Sequence, residues 1–246
     1  MIEVCRVDDL LAVLQSSDRY SARSPEARLD RELSLRGPRW VADLPNSLDG
    51  AEHARYRKIL QPLFTPQAAV ELEPELRERC ARIMDSANTI DDVAYTFARE
   101  AIEVILRRLK PALTELGLTY EELRGLRANI VNAARATLPP TIAAALTELE
   151  PDLRNELAGN KTKVRRFVEE IIRLNPPVEI IPRWLLPTNE FVRLHIDVIN
   201  RVEYGDQLGL DGKPRRHYSF GAGAHRCLGS NFARMILVVL VEEWVK

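Results

Sequence analysis

Cysteine is scarce: Cys5, Cys80 and Cys227 are the only three in 246 residues, odd in number and far apart. That spacing leaves no disulfide framework and no thiolate cluster of the kind that holds zinc. Long apolar runs are missing too. No stretch reaches the ~18 consecutive apolar residues that mark a membrane-crossing helix. The opening "MIEVCRVDDLLAVLQ" carries acids where a signal peptide has a basic patch and an unbroken apolar core. The expected location is the cytoplasm, with no membrane contact. Nor does one sign of charge dominate: 35 Lys and Arg stand against 36 Asp and Glu, a formal net charge of -1. That balance argues against a nucleic-acid binder relying on a strong overall positive field.

What is present is helical periodicity. Leu10, Leu11 and Leu14 form a short stripe, and "HARYRKILQPLFTP" sets Tyr56, Ile59, Leu60 and Leu63 on one side before Pro66 closes the segment. In "ELEPELRERCARIMDSA" the spacing of Leu76, Cys80 and Ile83 makes Cys80 a core filler. "TFAREAIEVILRRLKPALTELG" reads as a helix interrupted at Pro111. "TYEELRGLRANIVNAARATLPPTIAAALTELE" reads as helical on both sides of a break at Pro139 and Pro140. A further helix, "TKVRRFVEEIIRLNPPV", ends at Asn175 because Pro176 disfavours helical geometry there. Partial alternation and β-branched residues mark "FVRLHIDVIN" as the best strand candidate. The expected fold class is mainly α with small β elements, in one domain over residues 1–246.

Chemistry concentrates in "YSFGAGAHRCLGSNFARMILVVLVEEW". Gly221 and Gly223 permit tight turns, and Gly229 leaves the far side of Cys227 free of a side chain. The free amides at the start of the last helix, helped by Arg226, favour a thiolate there. On these residues alone a functional sulfur and a tight loop are equally open. The segment also resembles the haem-ligand loop of cytochrome P450 enzymes, in which Phe, Gly, Cys and Gly recur at fixed spacing. Phe220, Gly223, Cys227 and Gly229 all match, with His225 and Arg226 in "FGAGAHRCLG". The resemblance implies haem b (iron protoporphyrin IX) with Cys227 as the axial thiolate on iron. It also places Phe220 against the haem and sulfur, puts Gly221 and Gly229 in the cofactor-binding loop, and brings Arg226 to a propionate.

Three further stretches agree with the resemblance. Glu170 and Arg173 in "EIIR" share one helix face; alone they read as surface decoration, and in the family such a pair clamps the region behind the haem. Arg183 in "NPPVEIIPRW" matches a propionate-binding arginine, where the bland reading is a solvated loop residue. His53 and Arg57, one turn apart, match a further propionate pair. In "NAARATLPPT" the small residues Ala133 and Ala134 and Thr137 match the middle of the family's long distal helix. Thr137 is the expected catalytic hydroxyl, although a lone threonine more often bonds its own helix turn. The acid usually preceding it is Ala136.

The function implied is a haem-thiolate monooxygenase using O2, a small apolar organic substrate and electrons from a ferredoxin- or flavodoxin-type donor. Terpenoids, steroids, fatty acids and polyketides are the substrate classes the family suggests. Lys213, Arg215, Arg216 and Arg226 form a basic cluster that either steers such a donor or is simply solvated. The missing acid leaves a peroxygenase, dehydrogenase or ring-coupling enzyme as the alternative, and a non-catalytic P450-like helper as the second. The chain is short for the family. The stretch from His53 to Thr137 has too little sequence for the full set of middle helices. An N-terminal sheet strand and a C-terminal sheet also look absent, as in a compact member or in joined pieces of a longer polypeptide.

Overall fold

The computed structural model describes residues 1–26, 28 and 44–246. Each amphipathic stripe becomes a helix whose apolar face is inward. Helix α1 (Val7–Gln15) buries Leu10, Val13 and Leu14. Helix α2 (Gly50–Leu60) buries His53, Tyr56 and Leu60, and passes through a 3-10 turn at Gln61–Phe64 into α3 (Pro66–Val70). Helix α4 (Glu73–Ser86) buries Leu76, Cys80 and Ile83, and burial pushes the Cys80 thiol up to about 12, as befits an inert core residue.

The two long helices α5 (Ile90–Thr114) and α6 (Tyr120–Thr147) pack on each other, joined by the link 115–118. Gly117 takes φ +64° in that link. Thr119 starts α6 with a capping box: its hydroxyl accepts from the Glu122 amide while Glu122 accepts from the Thr119 amide. Glu122 then ties this start to α2 by accepting from the Tyr56 hydroxyl at 2.6 Å and from Arg55 at 2.9 Å.

Helices α7 (Pro151–Leu157) and α8 (Lys161–Leu174) lead to strands β3 (Ile180–Leu185) and β4 (Glu190–His195). With β1 (Ile2–Val4) and β2 (Tyr20–Ser21) these make a four-stranded sheet in the order β1-β4-β3-β2. The β1–β4 pairing is parallel and the others are antiparallel. Helix α9 (Ile196–Val202) follows β4, and α10 (Ser230–Trp244) follows the Cys227 loop.

Two cores result. The larger gathers the helices around residues such as Phe97, Leu126, Phe167 and Leu240. The smaller lies between α1, β4 and α9 around Leu10, Val192, Leu194 and Ile199. Each large side chain fully buried in them contributes about 1.5–3 kcal/mol. The segment carrying Cys227 bridges the two: Tyr218 belongs to the smaller core, while Phe220 and Leu228 pack on the larger.

Several expectations need correction. Pro111, Pro139 and Pro140 interrupt nothing, since α5 and α6 run through them. The carbonyls that lose an N–H partner belong to Arg107, Arg135 and Ala136, all exposed residues, and a carbonyl at an exposed position can turn to water instead. The strand expected over "FVRLHIDVIN" ends at His195, and its second half is α9, which buries Ile196, Ile199 and Asn200 at helical spacing. An N-terminal strand is present: Ile2, Glu3 and Val4 pair with Val192, Arg193 and Leu194. The segment was too short to show alternation in the sequence.

Candidate active site

The Cys227 loop is closed by its own backbone. The Cys227 amide donates to Phe220 O at 2.8 Å, and the Arg226 amide to Gly223 O at 3.2 Å. Gly221 and Gly223 hold φ +65° and +64°, a region costly for a side chain. At Gly223 a Cβ would also lie 2.1 Å from Leu14 O, so the loop rests directly on the end of α1. A Cβ on Gly229 would lie 3.9 Å from the Cys227 sulfur. From α2, Arg57 reaches across to donate to Arg226 O at 2.7 Å.

Cys227 is an exposed residue, yet its sulfur has enough protein around it for desolvation to push the thiol above its ordinary value. The Gly229 amide and the charges of Arg57, Arg234 and Arg226 pull the other way. The expected lowering is therefore reversed in the protein by itself: helix-end amides and arginines lose to desolvation. A metal ion binding that sulfur would select the thiolate outright.

Behind the loop, Glu170 and Arg173 are 2% and 0% exposed. They form a bidentate pair at 3.0 and 2.9 Å. The remaining guanidinium protons go to Asn200 O at 3.0 Å, Gly205 O at 2.8 Å and Gln207 O at 3.0 Å. Glu170 also accepts from the Gly209 amide at 2.9 Å and from Arg215 at 3.0 Å. Asn200 carries the connection onward, donating to Arg173 O and Ser219 Oγ and accepting from the Tyr218 amide. The pair therefore pins the segment 200–219, which delivers Phe220. Arg215 leaves the basic cluster, since its guanidinium turns inward to Glu170 and Gln207 O; Lys213, Arg216 and Arg226 remain exposed.

His53, Arg57 and Arg183 converge on the other side of the loop. Arg183 lies on β3 at 8% exposure and is no solvated loop residue; its recorded hydrogen bond goes to the carbonyl of its neighbour Pro182. His53, 3% exposed, stacks on His225 with ring centroids 3.9 Å apart. His225 Nε2 is buried without a hydrogen-bond partner, 3.6 Å from Asp49. Burial, together with the charges of His225, Arg57 and Arg183, pushes the His53 pKa down to about 4. Against burial, which raises it, His225, the Ser21 hydroxyl and the Ala22 amide hold the Asp49 carboxyl down at about 2. Arg57 and Arg183 thus share this site with a His53 held neutral, and Asp49 is the near acid. A ligand bringing carboxylates fits this imbalance, because buried charge needs a partner. Among the described residues no group of three or more His, Cys, Asp and Glu is placed to hold a metal ion. Cys227 accordingly suits a metal that arrives with most of its ligands.

Thr137 stands apart. Its hydroxyl donates back to Ala133 O at 2.9 Å, as a lone helical threonine does, and Thr141 repeats the pattern on Thr137 O at 2.8 Å. Residues that the sequence did not single out for the site are Asp49, Glu169, Asn200, His217 and Arg234. Glu169 precedes the noted Glu170, and Arg234 sits one helical turn into α10; neither position has a spacing signal of its own.

Known proteins resemble this chain in sequence and in fold. Cytochrome P450 119 of Sulfolobus acidocaldarius is 25% identical over 289 aligned positions, covering 88% of this chain and 78% of that protein. The chain is homologous in sequence and fold to cytochrome P450 enzymes. The plant-inducible cytochrome P450-pinF1 of Rhizobium radiobacter is 30% identical over 183 positions, covering 67% of this chain and 43% of that one. The ligand-free CYP164A2 of Mycobacterium smegmatis superposes with a TM-score of 0.77 at 19% identity, covering 99% of this chain and 83% of that structure. No family model matches the chain. An alignment of 289 positions against 246 residues opens gaps in this chain, so P450 relatives carry interior segments that it lacks. Among the described residues no helix is long and apolar enough to cross a membrane.

Proposed function

We propose that this P450-family oxidoreductase is a haem-thiolate monooxygenase that inserts one oxygen atom from O2 into a small apolar organic substrate. Its electrons come from a ferredoxin- or flavodoxin-type donor. The observation carrying this reading is the pairing of Cys227 on a backbone-closed loop with Arg57 and Arg183, whose hydrogen bonds go to backbone carbonyls and not to carboxylates. When bound, haem b supplies the oxidising chemistry that amino-acid side chains lack.

Each residue then has a task. Cys227 gives the iron its one protein ligand, and Phe220 shields the sulfur from water. His53, Arg57, Arg183 and Arg226 hold the propionates, while Gly221 and Gly229 let the loop approach the ring. Thr137 orients a water by exchanging its bond to Ala133 O for one into the pocket, which proton delivery requires within close reach. The exposed Lys213, Arg216 and Arg226 favour an acidic electron donor. A second reading, a peroxygenase, dehydrogenase or ring-coupling enzyme of the same site, is favoured by Ala136, an exposed methyl where proton relay ordinarily has an acid.

The test is the absorption spectrum of haem-loaded protein after reduction and carbon monoxide addition, beside Cys227→Ala. A strongly red-shifted Soret band in the parent that disappears in the variant is the expected result. The same band in both proteins would remove Cys227 from the iron.

A further inference from the structure

Glu169 and Glu170 are neighbours on α8 with separate duties. Glu170 serves Arg173, and Glu169 faces the Phe220 side of the loop. Its two oxygens take a fork from Arg234 at 2.6 and 2.9 Å, and its Oε2 also accepts from His217 Nε2 at 3.0 Å. The Ser219 amide donates to His217 Nδ1 at 3.4 Å. The His217 ring thus bridges the Ser219 amide and the Glu169 carboxylate.

Locked in this way, the Arg234 guanidinium lies 4.5 Å from the centre of the Phe220 ring, with the His217 ring 5.9 Å from the same ring. Helix α10, the loop and α8 therefore fix a cation over the aromatic residue whose carbonyl closes the Cys227 loop. Arg234 is also one of the three arginines whose charge is felt at the Cys227 sulfur. A bidentate carboxylate costs conformational entropy that a residue used only for solubility has no reason to spend.

We propose that Arg234, oriented by Glu169 and His217, is a positioning residue that sets the electrostatic environment of Phe220 and the Cys227 thiolate and so raises the reduction potential of the bound haem. The proposal rests on the haem-thiolate reading. Reduction adds negative charge at the haem, and without the guanidinium the ionised Glu169 carboxylate would be left uncompensated beside Phe220, disfavouring the reduced form.

The experiment compares haem-loaded parent protein with Arg234→Gln and Arg234→Lys. Midpoint potentials come from spectroelectrochemical titration, and the reduced carbon monoxide spectrum reports the sulfur ligand. Arg234→Gln is expected to move the potential to a more negative value while the thiolate-type Soret band stays in place. Arg234→Lys, which keeps the charge and loses the fork, recovers at least half of that shift. If Arg234→Gln does not fold, Arg234→Met replaces it, because it covers the ring without charge. An unchanged potential beside an intact thiolate band overturns the role of Arg234 and leaves the haem reading standing. Loss of haem from both neutral variants also overturns it, by making Arg234 a residue of assembly. A parent without a thiolate band overturns the haem reading and this proposal together.

Discussion

Two arginine-rich sites flank the Cys227 loop, and they differ in what completes them. At Glu170–Arg173 every guanidinium proton has a protein acceptor, and the carboxylate accepts from Arg173, Arg215 and the Gly209 amide. At His53–Arg57–Arg183 the two guanidinium groups donate to the carbonyls of Arg226 and Pro182, and the near carboxylate, Asp49, lies 3.6 Å from His225 Nε2. The first site is finished by the chain itself and acts as scaffold. The second is left for a ligand to finish. Burial of charge does not distinguish the two; the accounting of hydrogen-bond partners does.

Breaking the finished site carries the largest expected effect. Arg173→Ala leaves Glu170 buried beside fewer donors and orphans the carbonyls of Asn200, Gly205 and Gln207, so a loss of about 3–5 kcal/mol is expected in urea unfolding. The double variant Glu170→Leu with Arg173→Met does not restore stability as it does for a simple buried pair. The Gly209 amide and those carbonyls remain without partners in either case. A double variant as stable as the parent would show that the backbone contacts carry little.

A smaller effect sharpens the contrast from the other side. The folded chain holds His53 at about 4 against an ordinary 6.5, so between those values the unfolded state binds more protons than the folded one. Stability of the haem-free protein therefore falls as pH drops from 6.5 toward 4, by roughly 2 kcal/mol. His53→Asn removes that slope, and haem flattens it by supplying carboxylates that favour the charged imidazole. A slope that survives both changes would separate His53 from the anion site. The depressed carboxyls of Glu122 and Glu169 contribute stability that is lost as pH falls from their ordinary 4.5 toward about 2, mostly below the His53 window.

The uneven legibility of the sequence follows the same division. The stripes around Leu10, Leu76 and Phe167 were plain because a helix face repeats every few residues. The loop from Phe220 to Gly229 was legible through its resemblance to the haem-ligand loop, its glycines and cysteine alone leaving a functional sulfur and a tight loop equally open. Proline misled, since its cost depends on whether the orphaned carbonyl can turn to water, and Arg107, Arg135 and Ala136 are all exposed residues. Strand β1 and the inward turn of Arg215 depend on partners 190 and 45 residues away, and no local pattern records such distances. The reversed shift of the Cys227 thiol was hidden for a related reason: desolvation is set by everything that packs nearby, while the helix end and Arg226 are visible in one line of text.

Thr137 marks the lower end of the scale and tests whether α6 belongs with the finished site or the open one. Its hydroxyl is occupied by Ala133 O, a bond that adds little because that carbonyl already serves the helix ladder. Thr137→Val keeps the shape and removes the hydroxyl, so the stability change is expected below about 0.5 kcal/mol. Two and three residues on, Pro139 and Pro140 remove the ladder bonds to Arg135 and Ala136, which loosens the helix beside Thr137 without breaking it. A hydroxyl held by a weak local bond in a loosened turn is free to change partner. In haem-loaded protein supplied with substrate, Thr137→Val should then lower product formed per electron pair several-fold while unfolding stays unchanged. Equal coupling in variant and parent would leave Thr137 as a helix residue only and transfer proton delivery to water or substrate.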